Sequence, residues 1–320
     1  MEYVAAQVQL SWGSLYLAVL QAAETATNAD EEDNNGYDDS TCLISTQFDV
    51  FTTLKLEPIA SDLTVTLPYA FESARDIFKS AHFHFEAAKK VLKLDGFVTE
   101  YVSILQNISL CYKGLCRFEE NDKRKLAMQQ RRYISLNTIV SELNRDIYTG
   151  LSKELYFEIG EICNEMASIR ERMIVQKGDN AKITDYVKYN TISQTSIDAY
   201  ESFVKSYQNN ENNEWNKDLP TDEVRPILRS LFHAARLYSR LQSTDTVLTR
   251  SWLTKSVDTF QKMGELHAQH PAEEVQYDAE IGLGKEMESL LMEKLQRLDI
   301  AASSQTSMES FSNNNGGRAE

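Results

Sequence analysis

Histidine, cysteine and clustered cations are the residues here whose chemistry is worth testing first. His82 and His84 flank Phe83, and His267 and His270 sit at helical spacing close to Glu265, Glu273 and Glu274. Two imidazoles on one helix face can chelate a metal ion, but residues two apart on a helix point about 200° from one another, so His82 and His84 cannot share one. His267 and His270 can share a face, yet they lie where a helix pattern ends, and a cation there is favoured by the helix dipole alone. Cys163 beside a histidine would make a nucleophile, but it falls on the apolar stripe of its helix, where a thiol is an inert core group. The sequence holds no GxxxxGK[ST], no GxGxxG after a strand, no GxSxG and no HExxH. These residues therefore predict no enzyme, no metal centre and no cofactor.

The sharpest polar feature is NDKRKLAMQQRRY. Arg124 and Arg131, and likewise Lys125 and Arg132, are seven residues apart and fall in register on adjacent helix rows. One reading is a solvated helix face paired with Glu119, Glu120 and Glu142, each exposed pair contributing about 0–1 kcal/mol. The other is a partner-binding face formed by Arg124, Lys125, Arg131 and Arg132, on which arginine forks meet an acidic surface.

The elements that must carry these residues are helices. Gly 12 and Pro 5 are few for 320 residues, which removes the turn chemistry of a many-stranded protein. Hydrophobic residues at 42% are enough to build a core through most of the chain. A net charge of −15 works against nucleic acid and anionic membranes, because phosphate recognition needs surplus Lys and Arg. The run from Val4 to Ala23 lacks a basic start and is broken by Gln7, Gln9 and Ser11, so it reads as a packed helix, neither signal peptide nor membrane insertion. Cys42, Cys111, Cys116 and Cys163 show no CxxC spacing and read as reduced core thiols of a cytosolic protein.

Periodicity then divides the chain. Residues 1–27 form a first helix, with Val4, Val8, Trp12, Leu15 and Val19 on one face. Residues 28–68 form an acidic loop and a linker, ambiguous over 43–67 between a short helix and an extended strand of chain. Residues 69–300 form a helical-repeat array of about four hairpins, and 301–320 a disordered tail. Within the array Ala74, Ile77, Phe78, Ala81, Phe85, Ala88 and Leu92 make one stripe that stops before Asp95-Gly96, where glycine can take the left-handed conformation. Later helices are expected at 122–142, 146–173, 182–207, 223–241, 247–268 and 273–299, with Pro220 and Pro226 bracketing one start and Pro271 opening the last. The fold class is all-α, an α-solenoid of tandem antiparallel hairpins. Small and aromatic residues recur in pairs (Ala81 with Phe85, Ala235 with Tyr238, Ser256 with Phe260), which resembles tetratricopeptide packing with enlarged repeats.

Four segments carry a more specific likeness: AFESARDIFKSAHFHFEAAKKVLKLDGFVTEYVSIL (70–105), FEENDKRKLAMQQRRYISL (118–136), VRPILRSLFHAARLYSRL (224–241) and HPAEEVQYDAEIGLGKEMESLL (270–291). In this order they resemble the C-terminal half of the kinesin-binding (KIF-binding) protein family, with a weaker likeness over QVQLSWGSLYLAVLQAA (7–23). The resemblance implies a cytoplasmic, cytoskeleton-associated, right-handed α-solenoid that grips the motor domains of certain kinesins. It implies control of their attachment to microtubules, and through it of mitochondrial transport and neuronal outgrowth. A generic helical-repeat adaptor that binds peptides or other cytoskeletal proteins stands as the alternative. The likeness further implies that the family's N-terminal half is missing and that the first helix exposes an apolar face which that half would cover. The chain is then a fragment, a truncated gene product or a shortened paralogue.

Overall fold

Apolar side chains three and four apart can be buried only where helices pack on helices, and the computed structural model shows that arrangement throughout. It describes residues 2–29, 67–209, 214–216, 219–270 and 278–315, omitting the side chains of 24–29, 278 and 301–315. Two compact units divide the chain, Met1–Leu136 and Asn137–Glu320. The first holds α1 (Glu2–Ala29), α2 (Phe71–Val91), α3 (Val98–Arg117) and most of α4 (Asp122–Glu142). The second holds α5 (Thr149–Lys177), a 3-10 turn (Gly178–Asn180), α6 (Ile183–Lys205), α7 (Thr221–Arg240), α8 (Thr246–Gln269) and α9 (Asp278–Asn315). Among the described residues there is no strand, only an isolated antiparallel bridge between Gln208 and Trp215. No helix among them is long and apolar enough to cross a membrane.

In the first unit α1 packs on α2 and α3, and α2 on α3. In the second each helix packs on the next from α5 to α9, while α7 also touches α5 and α9. Contacts to the next helix and to the next but one, through short loops, are the local signature of an all-α solenoid of antiparallel hairpins. The stripe on α2 is buried as its spacing predicts: Ala74, Ala81, Phe85, Ala88 and Leu92 are all fully covered. The loop after it turns through Gly96 at φ 104°, a left-handed value that disfavours any side chain.

Close approach within the pairs is achieved by glycine. Phe85 of α2 lies on Gly13 of α1, where a Cβ would come within 2.8 Å of the ring. Tyr200 of α6 lies on Gly160 of α5 in the same way, at 2.6 Å. Sequence reading assigned the small-residue role to alanine and serine. The seats that matter are mid-helix glycines, which propensity alone would count as a fault.

Other expectations need correction. On α1 the residues read as the packed face are partly outside it: Val4 is 65% and Val8 50% exposed, while Ala6, Leu17 and Leu20 are buried. The helix is apolar on most sides, so periodicity found a stripe but not which stripe meets α2, where the small residues allow approach. Pro220 caps α7, but Pro226 lies inside that helix and does not bracket its start. Its ring removes one early hydrogen bond, and its carbonyl still accepts from Ser230 Oγ at 2.8 Å. The last helix runs to Asn315, beyond the end that apolar periodicity gives it; 301–315 lacks a core pattern but also lacks any Gly or Pro before Gly316. The acidic loop, apart from its helical first residues and its last two, Cys42 and Pro271 lie outside the described residues.

Candidate protein-interaction site

The local chain around α4 is organised by short polar side chains. Glu119 Oε1 accepts from the backbone N–H of Asn121 at 2.9 Å. Asn121 Oδ1 in turn accepts from the N–H groups of Lys123 and Arg124 at 3.0 and 3.2 Å, an N-cap that starts the helix. The four cations of NDKRKLAMQQRRY leave this cap in different directions. Arg124, with its side chain 70% exposed, stands 3.5 Å from Glu119 Oε2. Lys125 is half-buried. Arg131 is exposed and lies 5.9 Å from the centre of the Tyr112 ring on α3.

Arg132 does not belong to this surface. It is only 3% exposed, donates from Nε to Ser109 Oγ at 2.9 Å and from Nη1 to Gln129 Oε1 at 2.7 Å, and joins α4 to α3 from within. The expectation of one four-residue docking stripe is thereby corrected to a surface made by Arg124 and Arg131 with Lys125 at its margin. Buried positions on α4 include Gln129, Arg132, Leu136 and Ile139, steps of three and four that continue to Leu143 just past its end. That stripe could have been extended backwards from its apolar end, and it would have placed Arg132 inside.

Beside Arg131 lies an aromatic group that sequence reading did not single out as a site. Phe78 and Tyr112 meet with ring centres 4.7 Å apart, and His82 stands 5.5 Å from Phe78 and 6.1 Å from Tyr112. Burial pushes the His82 imidazole below its ordinary range; Glu86 opposes the shift, and Lys89 and Arg131 add to it. His84 faces the other way, 2.6 Å from Gln9 Oε1 and stacked against both Trp12 and Tyr16 of α1. Phe83 between them is 67% exposed. Aromatic rings with an exposed arginine at the edge are the composition that dominates protein–protein interfaces.

The other chemical candidates are accounted for by packing. Cys163 is 2% exposed, and burial pushes its thiol up to about 12, as it does that of Cys111. A thiol so held is not a thiolate at neutral pH. His267 lies in the last turn of α8 and His270 caps it, its N–H bonded to the His267 carbonyl at 3.1 Å. Among the described residues no three His, Cys, Asp or Glu side chains are grouped to hold a metal ion. In the second unit Tyr200 donates to Glu161 Oε1 at 2.7 Å, Arg229 Nε reaches the same oxygen at 3.2 Å, and His233 stacks on the Tyr200 ring at 5.9 Å. Burial pulls His233 down to about 4.

Residues 1–298 match the family model described as KIF-1 binding protein C terminal. Curated proteins named KIF-binding protein are similar: that of Gallus gallus at 30% identity over 72% of this chain and 39% of its own length, and that of Danio rerio at 31% over 72% and 36%. The Drosophila melanogaster protein of the same name is 25% identical over 91% of this chain and 49% of its own length. The chain thus spans well under half the length of the first two relatives.

Proposed function

This chain belongs to the KIF-binding protein family, and from that premise we propose that it is a non-catalytic scaffold that binds kinesin motor domains. The observation that carries the reading is the family match over residues 1–298. The exposed cations Arg124 and Arg131, the second beside the Phe78–His82–Tyr112 group, supply a surface of suitable chemistry on a chain whose net charge is −15. Arg124, Lys125 and Arg131 steer an acidic patch of the partner, and Arg132 holds the helix that presents them.

By engaging the motor domain the chain limits the motor's attachment to microtubules and so acts on the transport of cargo such as mitochondria, in the cytoplasm and on the cytoskeleton. The test is co-sedimentation of a panel of purified kinesin motor domains with microtubules, with and without this chain. A concentration-dependent loss of at least one motor from the pellet is the expected result. Full retention of every motor, together with retention of short peptides on the immobilised chain, would replace this reading with that of a peptide-binding helical-repeat adaptor.

A further inference from the structure

In the Asn137–Glu320 unit, arginines stand on the side of α7 that its core leaves open. Arg225, Arg229, Arg236 and Arg240, with His233 among them, follow at steps of three and four, while Val224, Ile227, Leu231, Ala234 and Tyr238 are buried. Beside them runs α5, whose side chains meet those of α7 at a nearly constant offset. Glu161 accepts from Arg229 at 2.5 Å, Asn164 Nδ2 stands 3.5 Å from His233 Nδ1, and Glu171 accepts from Arg240 at 2.8 Å, partners 68 or 69 residues apart. The same offset sets Arg236 opposite Ala167 and Ser168.

The ladder between the two helices therefore lacks a carboxylate at one rung. Ala167 is buried and carries no polar side chain, and the Ser168 hydroxyl is directed to the Asn164 carbonyl at 3.0 Å. Arg236 is half-buried, yet its guanidinium makes no hydrogen bond or ion pair among the described residues. Burial lowers its pKa and the neighbouring Arg240 adds to the shift, while Glu171, which Arg240 already holds, opposes it. At the next rung Asn164 Oδ1 is buried without a donor. A carboxylate of α9, Glu280, acts on His233 on this face, and His233, pulled down to about 4, adds no charge at neutral pH. Arg236 and Arg240 against Glu171 leave a local positive balance on a chain whose net charge is −15.

We infer that this α5–α7 face is a docking site for an acidic segment of a partner protein, one of whose carboxylates occupies the rung opposite Arg236 that α5 leaves to Ser168. The guanidinium offers a planar fork that a carboxylate matches with two hydrogen bonds. From Arg229 to Arg240 the ladder runs roughly 16 Å, the reach of about five extended residues. Glu161 and Glu171 stand on either side of the empty rung. They repel a polymer charged along its whole length, such as a polyphosphate, and admit a segment whose charge lies at its middle. The site is separate from the α4 surface and does not rest on the binding of any motor.

The probe is a fluorescein-labelled peptide, Gly-Ser-Glu-Glu-Ser-Gly, and the readout is its anisotropy with the full chain at about 50 mM salt. Saturable binding is expected, about ten-fold weaker when Gln replaces the peptide's Glu. Arg236→Gln should weaken it about five-fold, with the fold checked by far-ultraviolet circular dichroism. Ser168→Glu supplies the missing carboxylate from α5 itself, so it should weaken binding to a similar degree while raising the midpoint of thermal unfolding. Arg131→Glu in the other unit should leave the affinity unchanged. Absence of binding, or equal affinity for the Glu and Gln peptides, overturns the inference, as does undiminished binding by folded Arg236→Gln. If Arg236→Gln does not fold, Ser168→Glu decides alone, and undiminished binding by it overturns the inference. A polyphosphate of equal charge that binds more tightly than the peptide, or a loss on Arg131→Glu as large as on Arg236→Gln, overturns it too.

Discussion

Both units bury a polar group between helices, with opposite charge at the centre. In Met1–Leu136 the centre is a cation, Arg132, almost wholly enclosed and held by the neutral acceptors Ser109 and Gln129. In Asn137–Glu320 it is an anion, Glu161, held by Tyr200 and by Arg229, whose own side chain stays 48% exposed. The guanidinium brings several donors on one rigid plane, and Ser109 and Gln129 accept two of them. The carboxylate keeps one side toward water and lets a flexible arginine close over it. The first arrangement is a fixed bolt, and the second a clasp that can reorganise when one member is lost.

That contrast can be broken in four ways. Tyr200→Ala should have the largest effect, about 3–5 kcal/mol of stability, because it empties a fully buried ring site above Gly160 as well as removing a donor to Glu161. Urea unfolding measures it, and a cost no greater than that of Tyr200→Phe would show that the ring and its glycine seat contribute nothing. Arg132→Ala comes next at about 2–4 kcal/mol, since it withdraws the donors from Ser109 and Gln129 and leaves a space. If Arg132→Ala behaved like an exposed arginine, the bolt would be no different from the clasp.

The third is a pH effect at the clasp. His233 has a folded pKa near 4 against an ordinary 6.5, so as pH falls below 6.5 the unfolded chain takes up a proton that the folded chain refuses. Stability should therefore be unaffected by this group above pH 6.5, fall by on the order of 2–3 kcal/mol between 6.5 and 4, and level off below. His233→Gln should flatten that part of the curve, and an unchanged slope in the variant would assign the acid sensitivity to other groups. The smallest effect belongs to Arg131→Glu: about 0.5 kcal/mol or less in stability, given its exposure and a weak ring contact. Its mark should be kinetic, a slower association with a motor domain and a weaker dependence of that rate on salt. Identical rates at about 50 and 200 mM salt would remove the α4 surface from the interface.

Much of the fold was legible in the sequence because helices state their buried faces through three-and-four spacing. The α2 stripe and the extent of α4, Asp122–Glu142, are read directly. What stayed hidden has physical reasons. On α1 nearly every face is apolar, so spacing could not tell the covered Leu17 from the exposed Val8. For Arg132 the charge pattern masked a burial stripe passing through the same residue. The acceptors that make its burial tolerable, Ser109 and Gln129, come into range only when α3 and α4 pack.

The glycine seats also bear on the order in which the chain assembles. Seating Tyr200 on Gly160 joins neighbours, and the bond from Ser196 to the Gly160 carbonyl closes a loop of only 36 residues. Seating Phe85 on Gly13 must draw together positions as far apart as His84 and Gln9, 75 residues along the chain. Doubling a loop costs about 0.6 kcal/mol in closure entropy, a roughly three-fold penalty on the chance of encounter. The α5–α6 hairpin is therefore positioned to nucleate early, while α1 meets α2 only after a longer search.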